Sequence, residues 1–399
     1  MRDSTLRLTL LGGTPAFPDK LHVGRPNIGN RERFLDRVNT TLDTRWLSNG
    51  GPFVAEFEQR IAATVGVKHC IAMCNATVAL EIAIRALDLK GEVIVPSFTF
   101  VASAHALQWQ QLIPVFCDID PSTHNLDPRS VERLITPRTT GILGVHLWGR
   151  PCPVNEVQQI ADRHKLKVLY DAAHAFGCRC GDRSIGSFGN AEVFSFHATK
   201  FVNAGEGGAV VTNDDSLAER MRLMKNFGFS GYDKVVYVGT NGKMNELSAA
   251  LGLTNLESME VFTSTNRANL EVYRSGLEGI SGISLIEYDE ATSPNYQYLV
   301  LEIDAAELGL TRDELMSVLH AENVLARRYF YPGVHRMEPY SSMFPDAGSR
   351  LRHAESLVDR ILHLPTGTGV TASDITTICG LIRSAVEHKA EIRQICQSQ

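Results

Sequence analysis

Several things this chain lacks narrow its possible roles. Along its 399 residues, no apolar run approaches the roughly 20 residues that a membrane helix needs. The opening "MRDSTLRLTLLGG" has one short apolar patch and does not read as a secretory signal. Lys and Arg number 39 against 45 Asp and Glu, a net charge of −6 with no basic block. That balance argues against a nucleic-acid partner. Eight cysteines include a C-x-C pair, Cys178 and Cys180 in "GCRCGD", and the remaining six are scattered. No metal site is expected, and reduced thiols in a cytoplasmic protein are. Four catalytic or nucleotide motifs are also missing. No G-x-G-x-x-G follows the first strand-like run, and there is no G-x-x-x-x-G-K-[ST], G-x-S-x-G or H-E-x-x-H.

What remains is an alternation of helix and strand periods between residues 50 and 215. "VAEFEQRIAATVGV" puts Phe57, Ile61 and Val65 on one helical face. "VNEVQQIADRHK" does the same with Val154, Val157, Ile160 and Ala161. Seven short apolar runs read as strands: "HCIAM", "EVIVP", "LIPVFCDI", "GILGVH", "LKVLYD", "AEVFSF" and "GGAVVTN". Continuous apolar strands separated by helices predict an α/β fold with a mostly parallel seven-stranded sheet between helices. The seventh strand follows a short glycine turn, which favours an antiparallel course. Beyond residue 245, "ELSAALGLTNLESMEVF" reads as one long helix. A smaller α+β region follows, with "YQYLVLEI", "TRDELMSVLHAENV" and a closing helix near 372–390. Two domains are expected, 1–250 with the large sheet and 251–399 as the small C-terminal unit.

Ligands of an open α/β sheet gather at the carboxyl ends of its strands. Standing there are Asn75-Ala76-Thr77, Ser97 to Phe100, His146, Asp171 to His174, and Ser195 to Lys200. A partly desolvated lysine can lose its proton near neutral pH and attack a carbonyl carbon. Pyridoxal 5'-phosphate is the commonest partner for such a lysine, and its needs can be checked against this set. A carboxylate must keep the ring nitrogen protonated, and Asp171 is placed for that. The phosphate needs backbone N–H groups at a helix start plus hydroxyls, which Ala76, Thr77 and Ser195 can supply. Phe100 can stack on the ring.

"SFHATKFVNAGEGG", with "VLYDAAHAFG" upstream and "GTNGKMNELSAALGLTNLE" downstream, resembles the sugar-nucleotide aminotransferases of the aspartate-aminotransferase fold, the DegT/StrS family. The likeness runs from "RWLSNGGPFVAEFE" to "RRYFYPGVHRMEPY". It implies fold type I, Lys200 as the residue that bonds to pyridoxal phosphate, Asp171 on the pyridine nitrogen, and Ala76, Thr77 and Ser195 on the phosphate. His174 takes the place of a residue that helps hold the ring. Asn241 corresponds to an asparagine that reaches the phosphate of the other subunit, implying a homodimer with shared sites. "SFHATK", "DAAHAFG" and "RRYFYP" are most similar to enzymes that move an amino group from L-glutamate to C4 of a dTDP-4-keto-6-deoxyhexose, forming dTDP-4-amino-4,6-dideoxyglucose. Rivals within the fold act on 3-keto sugar nucleotides or keto-cyclitols. The family's sugar dehydratases carry histidine in place of the lysine, and a cofactor-sensing regulator would need a DNA-binding segment that this chain does not display.

Blander roles compete for several of these residues. Asp171 could cap a following helix, "AAHAF", Thr77 and Ser195 could serve backbone groups only, and Phe100 could be plain core. His174 could be structural. His197 and His335 either line a sugar pocket or merely pack. Lys243 either meets a substrate carboxylate or diphosphate across a dimer or is solvated. Two segments are expected to shape the substrate pocket: "WLSNGGPF" (46–53), and "RRYFYPG" (327–333) with Tyr331 among its rings.

Overall fold

The computed structural model describes residues 7–398. All seven expected strands form, and they make one sheet: β1 (His69–Met73), β2 (Glu92–Pro96), β3 (Ile113–Cys117), β4 (Thr139–Val145), β5 (Lys167–Asp171), β6 (Ala191–Ser195) and β7 (Gly208–Thr212). Their order is β1-β7-β6-β5-β4-β2-β3. Pairs from β6 through β3 are parallel, whereas β7 runs antiparallel to both β1 and β6. Central strands are buried along almost their whole length, as expected of a sheet covered on both faces.

Covering helices follow the expected apolar faces. Helix α1 (Pro52–Val65) buries Phe57, Ile61 and Val65, and ends on Gly66 at φ 79°, a left-handed position that suits glycine. Helix α2 (Ala76–Ala86) follows β1 directly, with Asn75 Oδ1 accepting from Val78 N at its start. Next come α3 (Val101–Trp109), α4 (Val154–His164) and α5 (Asp215–Met224). Val154, Val157, Ile160 and Ala161 are the buried residues of α4.

The expected single helix after residue 245 is two, α6 (Glu246–Leu256) and α7 (Met259–Leu277). Apolar periodicity continues across the joint, but its polar groups are drawn elsewhere. The Glu257 carboxylate takes Arg37 at 2.6 Å and Arg60 at 2.7 Å. Ser258 donates its hydroxyl to Thr254 O at 3.2 Å, a local bond that competes with helix continuation. The boundary expected at 250/251 lies inside α6, whose buried face packs on α1 and the large core. The closing helix likewise breaks at His388 into α9 (Ala372–Glu387) and α10 (Lys389–Gln397), after α8 (Arg312–Ala321).

A second, antiparallel sheet joins β8 (Ile283–Leu285), β9 (Leu299–Ile303) and β10 (Ile361–Leu364). Its core includes Leu270, Tyr273, Leu301, Leu319 and Ile378, and takes in Leu8 and Leu21 from the start of the chain. Leu21–His22 pairs in parallel with Val324–Leu325, so the N-terminal segment packs with the small unit. Among the described residues, no helix is long and apolar enough to cross a membrane.

Candidate active site

Strand register brings the carboxyl ends together. Val145 pairs with Asp171, and Asp171 pairs with Val193, two residues before Ser195. Gly208 begins the antiparallel β7 opposite both Ser195 and Met73. A side chain at 208 would sit 2.5 Å from Ala76 N and 2.6 Å from Asn75 O. Glycine there lets the start of α2 close against the sheet beside Ser195.

These elements surround a cavity of about 450 Å³. Eight expected residues line it: Ala76, Thr77, Phe100, Asp171, His174, Ser195, His197 and Lys200. Lys200 sits in the turn after β6, its Nζ donating to the Tyr298 hydroxyl at 3.3 Å. Burial pushes its pKa down to about 8 against an opposing pull from Asp171, so the amine gives up its proton far more readily than an ordinary lysine. Asp171 caps no helix, because the following segment is a turn. Its Oδ1 accepts from Ala173 N at 3.1 Å and its Oδ2 from Ser103 at 2.8 Å. Thr99 lies 3.1 Å from Ser103 and extends this hydroxyl chain.

His174 accepts the Trp148 N–H on Nδ1 at 3.2 Å, which leaves the proton on Nε2. Burial, with Lys200 and His363 adding to it, holds its pKa well below the ordinary histidine value, so the ring is neutral. The Phe330 ring stacks at 5.8 Å and Tyr298 lies at 4.4 Å. Phe100 is not core: it is 53% exposed and faces the cavity. The residues fit pyridoxal phosphate. Ala76 and Thr77 offer first-turn N–H groups that the helix leaves free, Ser195 adds a hydroxyl, Asp171 offers an anchored carboxylate and Lys200 a neutralisable amine.

Other expected residues lie elsewhere. His335 is buried outside the cavity, bound by Ser97 and Glu355, and burial with Arg336 lowers its pKa to about 4. It packs there and does not line this cavity. Tyr331 lies under the Arg328 and Arg312 guanidiniums at 4.2 and 5.0 Å, while its neighbours Tyr329 and Phe330 enter the cavity. Segment 46–53 does not line it. Asn241 pairs with Asn226 on an exposed loop. Lys243 donates to Asn226 at 3.1 Å and sits 4.8 Å from the Phe227 ring. Both are outside this chain's cavity. His146 turns away into a buried pair with Glu192 at 3.0 Å.

Sequence reasoning missed Ser103, Gln297, Tyr298 and Glu206. Ser103 had a signal, a hydroxyl in the first helical turn after a strand. Glu206 lines the cavity 3.8 Å from His197. Gln297 and Tyr298 had none, since they arrive from the small unit.

The chain is similar to several known proteins. A dTDP-4-amino-4,6-dideoxy-D-glucose transaminase of Shigella dysenteriae is 37% identical over 91% of this chain and 98% of its own length. A GDP-perosamine synthase of Caulobacter vibrioides is 36% identical over 90% of this chain and 96% of its own. The crystal structure of DesI, determined in the presence of its TDP-sugar product, superposes with a TM-score of 0.92 at 47% identity, covering 98% of this chain and 99% of that one. Residues 29–383 match the DegT/DnrJ/EryC1/StrS aminotransferase family, and this chain, an enzyme of fold type I, belongs to it.

Proposed function

We propose that the protein transfers the amino group of L-glutamate to C4 of a dTDP-4-keto-6-deoxyhexose, giving dTDP-4-amino-4,6-dideoxy-D-glucose and 2-oxoglutarate, with pyridoxal 5'-phosphate as its cofactor. The observation that carries this reading is the Lys200 amine and the Asp171 carboxylate facing one cavity, beside the open start of α2. The names of the Shigella transaminase and of the DesI structure with its TDP-sugar product support the sugar and the nucleotide.

Pyridoxal phosphate, when bound, supplies an aldehyde for the amine and a protonated pyridine ring that accepts electrons. The chain's residues do the rest. Ala76 N, Thr77 N and the Ser195 hydroxyl would hold the phosphate. Asp171, kept in place by Ser103 and Ala173 N, would keep the ring nitrogen protonated. His174, a donor through its Nε2–H, would help hold the ring, and Phe100 would stack on it. The free Lys200 amine removes the proton from the amino-acid α-carbon and, in the second half-reaction, returns one to the sugar carbon. Ping-pong kinetics follow.

Among the described residues no arginine lines this chain's cavity, and further cations for a nucleotide diphosphate are proposed to come from elsewhere. In the proposed homodimer a second subunit contributes Lys243 to the diphosphate and Asn241 to the cofactor phosphate. The half-exposed Trp46, Leu47, Phe227 and Phe229 are suited to burial there. The enzyme works in the cytoplasm, where its free thiols stay reduced.

The test offers purified enzyme and L-glutamate a panel of 4-keto and 3-keto dTDP-sugars, a GDP-4-keto sugar and a keto-cyclitol, with products located by NMR. Preference for the dTDP-4-keto sugar, with amination at C4, is expected. Preference for any other member overturns the substrate assignment. Sedimentation showing an active monomer would end the shared-site reading.

A further inference from the structure

We infer that Tyr298 is a positioning residue and proton partner for Lys200, holding the free amine at the place where it exchanges protons with the substrate. The inference rests on the assignment of Lys200 as the reacting amine. Its ground is geometric. Tyr298 Oη, at 3.3 Å, is the one hydrogen-bond partner of Lys200 Nζ among the described residues. The two come from different parts of the fold: Lys200 from the turn after β6, Tyr298 from the residue before β9.

The contact is braced. Gln297 donates from Nε2 to Thr199 O at 3.4 Å, while its Oε1 accepts from Asn27 at 3.2 Å and Asn266 at 3.1 Å. The approach to β9 therefore grips the lysine turn twice, once by backbone and once by amine. Tyr298 is itself held. Its carbonyl accepts the Tyr288 hydroxyl at 2.5 Å, and its ring lies 4.4 Å from the neutral His174. A phenol fixed in this way keeps a flexible four-carbon amine pointed into the cavity, which lowers the entropy cost of reaching the reacting carbon.

The phenol also serves both protonation states. It accepts an N–H from the ammonium, and it can donate its own O–H to the lone pair of the neutral amine. No net proton is consumed, because the amine carries the proton and the phenol only partners it. Burial holds the Tyr298 proton firmly, well above the ordinary tyrosine range, so the phenol does not ionise in its working range. The other titratable groups lining the cavity are Asp171, His174, His197, Glu206 and Tyr329. Asp171 favours the charged amine, burial opposes it, and Tyr298 on balance favours it, because its charge-assisted bond from the ammonium is stronger than its bond to the neutral amine.

Tyr298→Phe tests this, since it keeps the ring and removes the hydroxyl. In cofactor-free protein with 13C-methylated lysines, the Lys200 resonance should titrate at lower pH than in wild type. In holoenzyme, kcat should fall on the order of ten-fold or more, with KM for L-glutamate little changed. A wild-type titration and kcat overturn the proposal. A lower kcat with an unshifted titration also overturns it, leaving a packing role. Should the variant fold poorly, cross-peaks between the Lys200 methyls and the Tyr298 ring in the wild-type chain decide, and their absence counts against it. Lys200→Ala runs alongside. If that variant still transaminates, the assignment of Lys200 itself fails; if it is inactive while Tyr298→Phe behaves as wild type, only the present inference does.

Discussion

Gly208→Ala tests how the phosphate cradle is built. The added methyl would lie 2.5 Å from both Ala76 N and the Asn75 carbonyl carbon, and 2.6 Å from Asn75 O. All three are backbone atoms, so no side chain can swing aside. Gly208 cannot retreat alone either, because it is paired on one side with Met73 and on the other with Ser195. Relief requires α2 to lift from the sheet by several tenths of an ångström. Overpacking of this kind costs about 1–3 kcal/mol of stability. The same shift spoils the aim of the Ala76 and Thr77 N–H groups. Loss of one hydrogen bond to a charged group is worth about 1.5–3 kcal/mol, or roughly ten- to a hundred-fold in affinity. Urea unfolding measures the first quantity, and equilibrium dialysis of pyridoxal phosphate against folded variant measures the second. A Gly208→Ala protein that binds the cofactor as tightly as wild type would refute the cradle, whatever its stability.

Three further outcomes are expected. Lys200→Ala should lose transamination by a factor of about a hundred or more and yield no borohydride-fixed peptide at that position, as read by peptide mass mapping. Covalent capture of pyridoxal phosphate by cofactor-free enzyme needs the neutral amine, and the amine's pKa is depressed to about 8. Its rate should therefore rise from pH 6, inflect near 8 and level off above it; a rate still climbing steeply at pH 10 would mean an ordinary, solvated lysine. Glu246, 1% exposed, accepts from Phe53 N and Val54 N and so caps α1, whose Gly51 has no side chain to do so. Glu246→Ala should cost about 1–2 kcal/mol in chemical denaturation, with Glu246→Gln recovering part of it.

The large sheet was legible because its strands are unbroken apolar runs, and their ends alone nominated most of the cavity wall. The joint between α6 and α7 was not, since apolar spacing runs on through Glu257 while a distant Arg37 and Arg60 claim its carboxylate. His335 misled for a related reason: its neighbours Tyr329 and Phe330 reach the cavity, and only tertiary packing shows that the chain then turns the histidine toward Ser97 and Glu355. Local pattern predicts which residues end a strand, and the aromatic run at 327–333 announced Tyr329 and Phe330, but nothing local marked Gln297 and Tyr298.

That division bears on how the lysine works. The turn bearing Lys200 is touched from two directions by residues remote in sequence. Gln297 and Tyr298 hold it from the approach to β9. Gly24 lies so close that a Cβ there would meet Thr199 Cγ2 at 2.6 Å, and the same N-terminal segment joins the small unit's core through Leu21. The large sheet places the lysine, whereas the small unit and N-terminal segment restrict its turn and the direction of its amine. A change in how those parts seat should therefore reach the amine before it reaches Asp171, whose partners Ser103 and Ala173 both lie in the large unit.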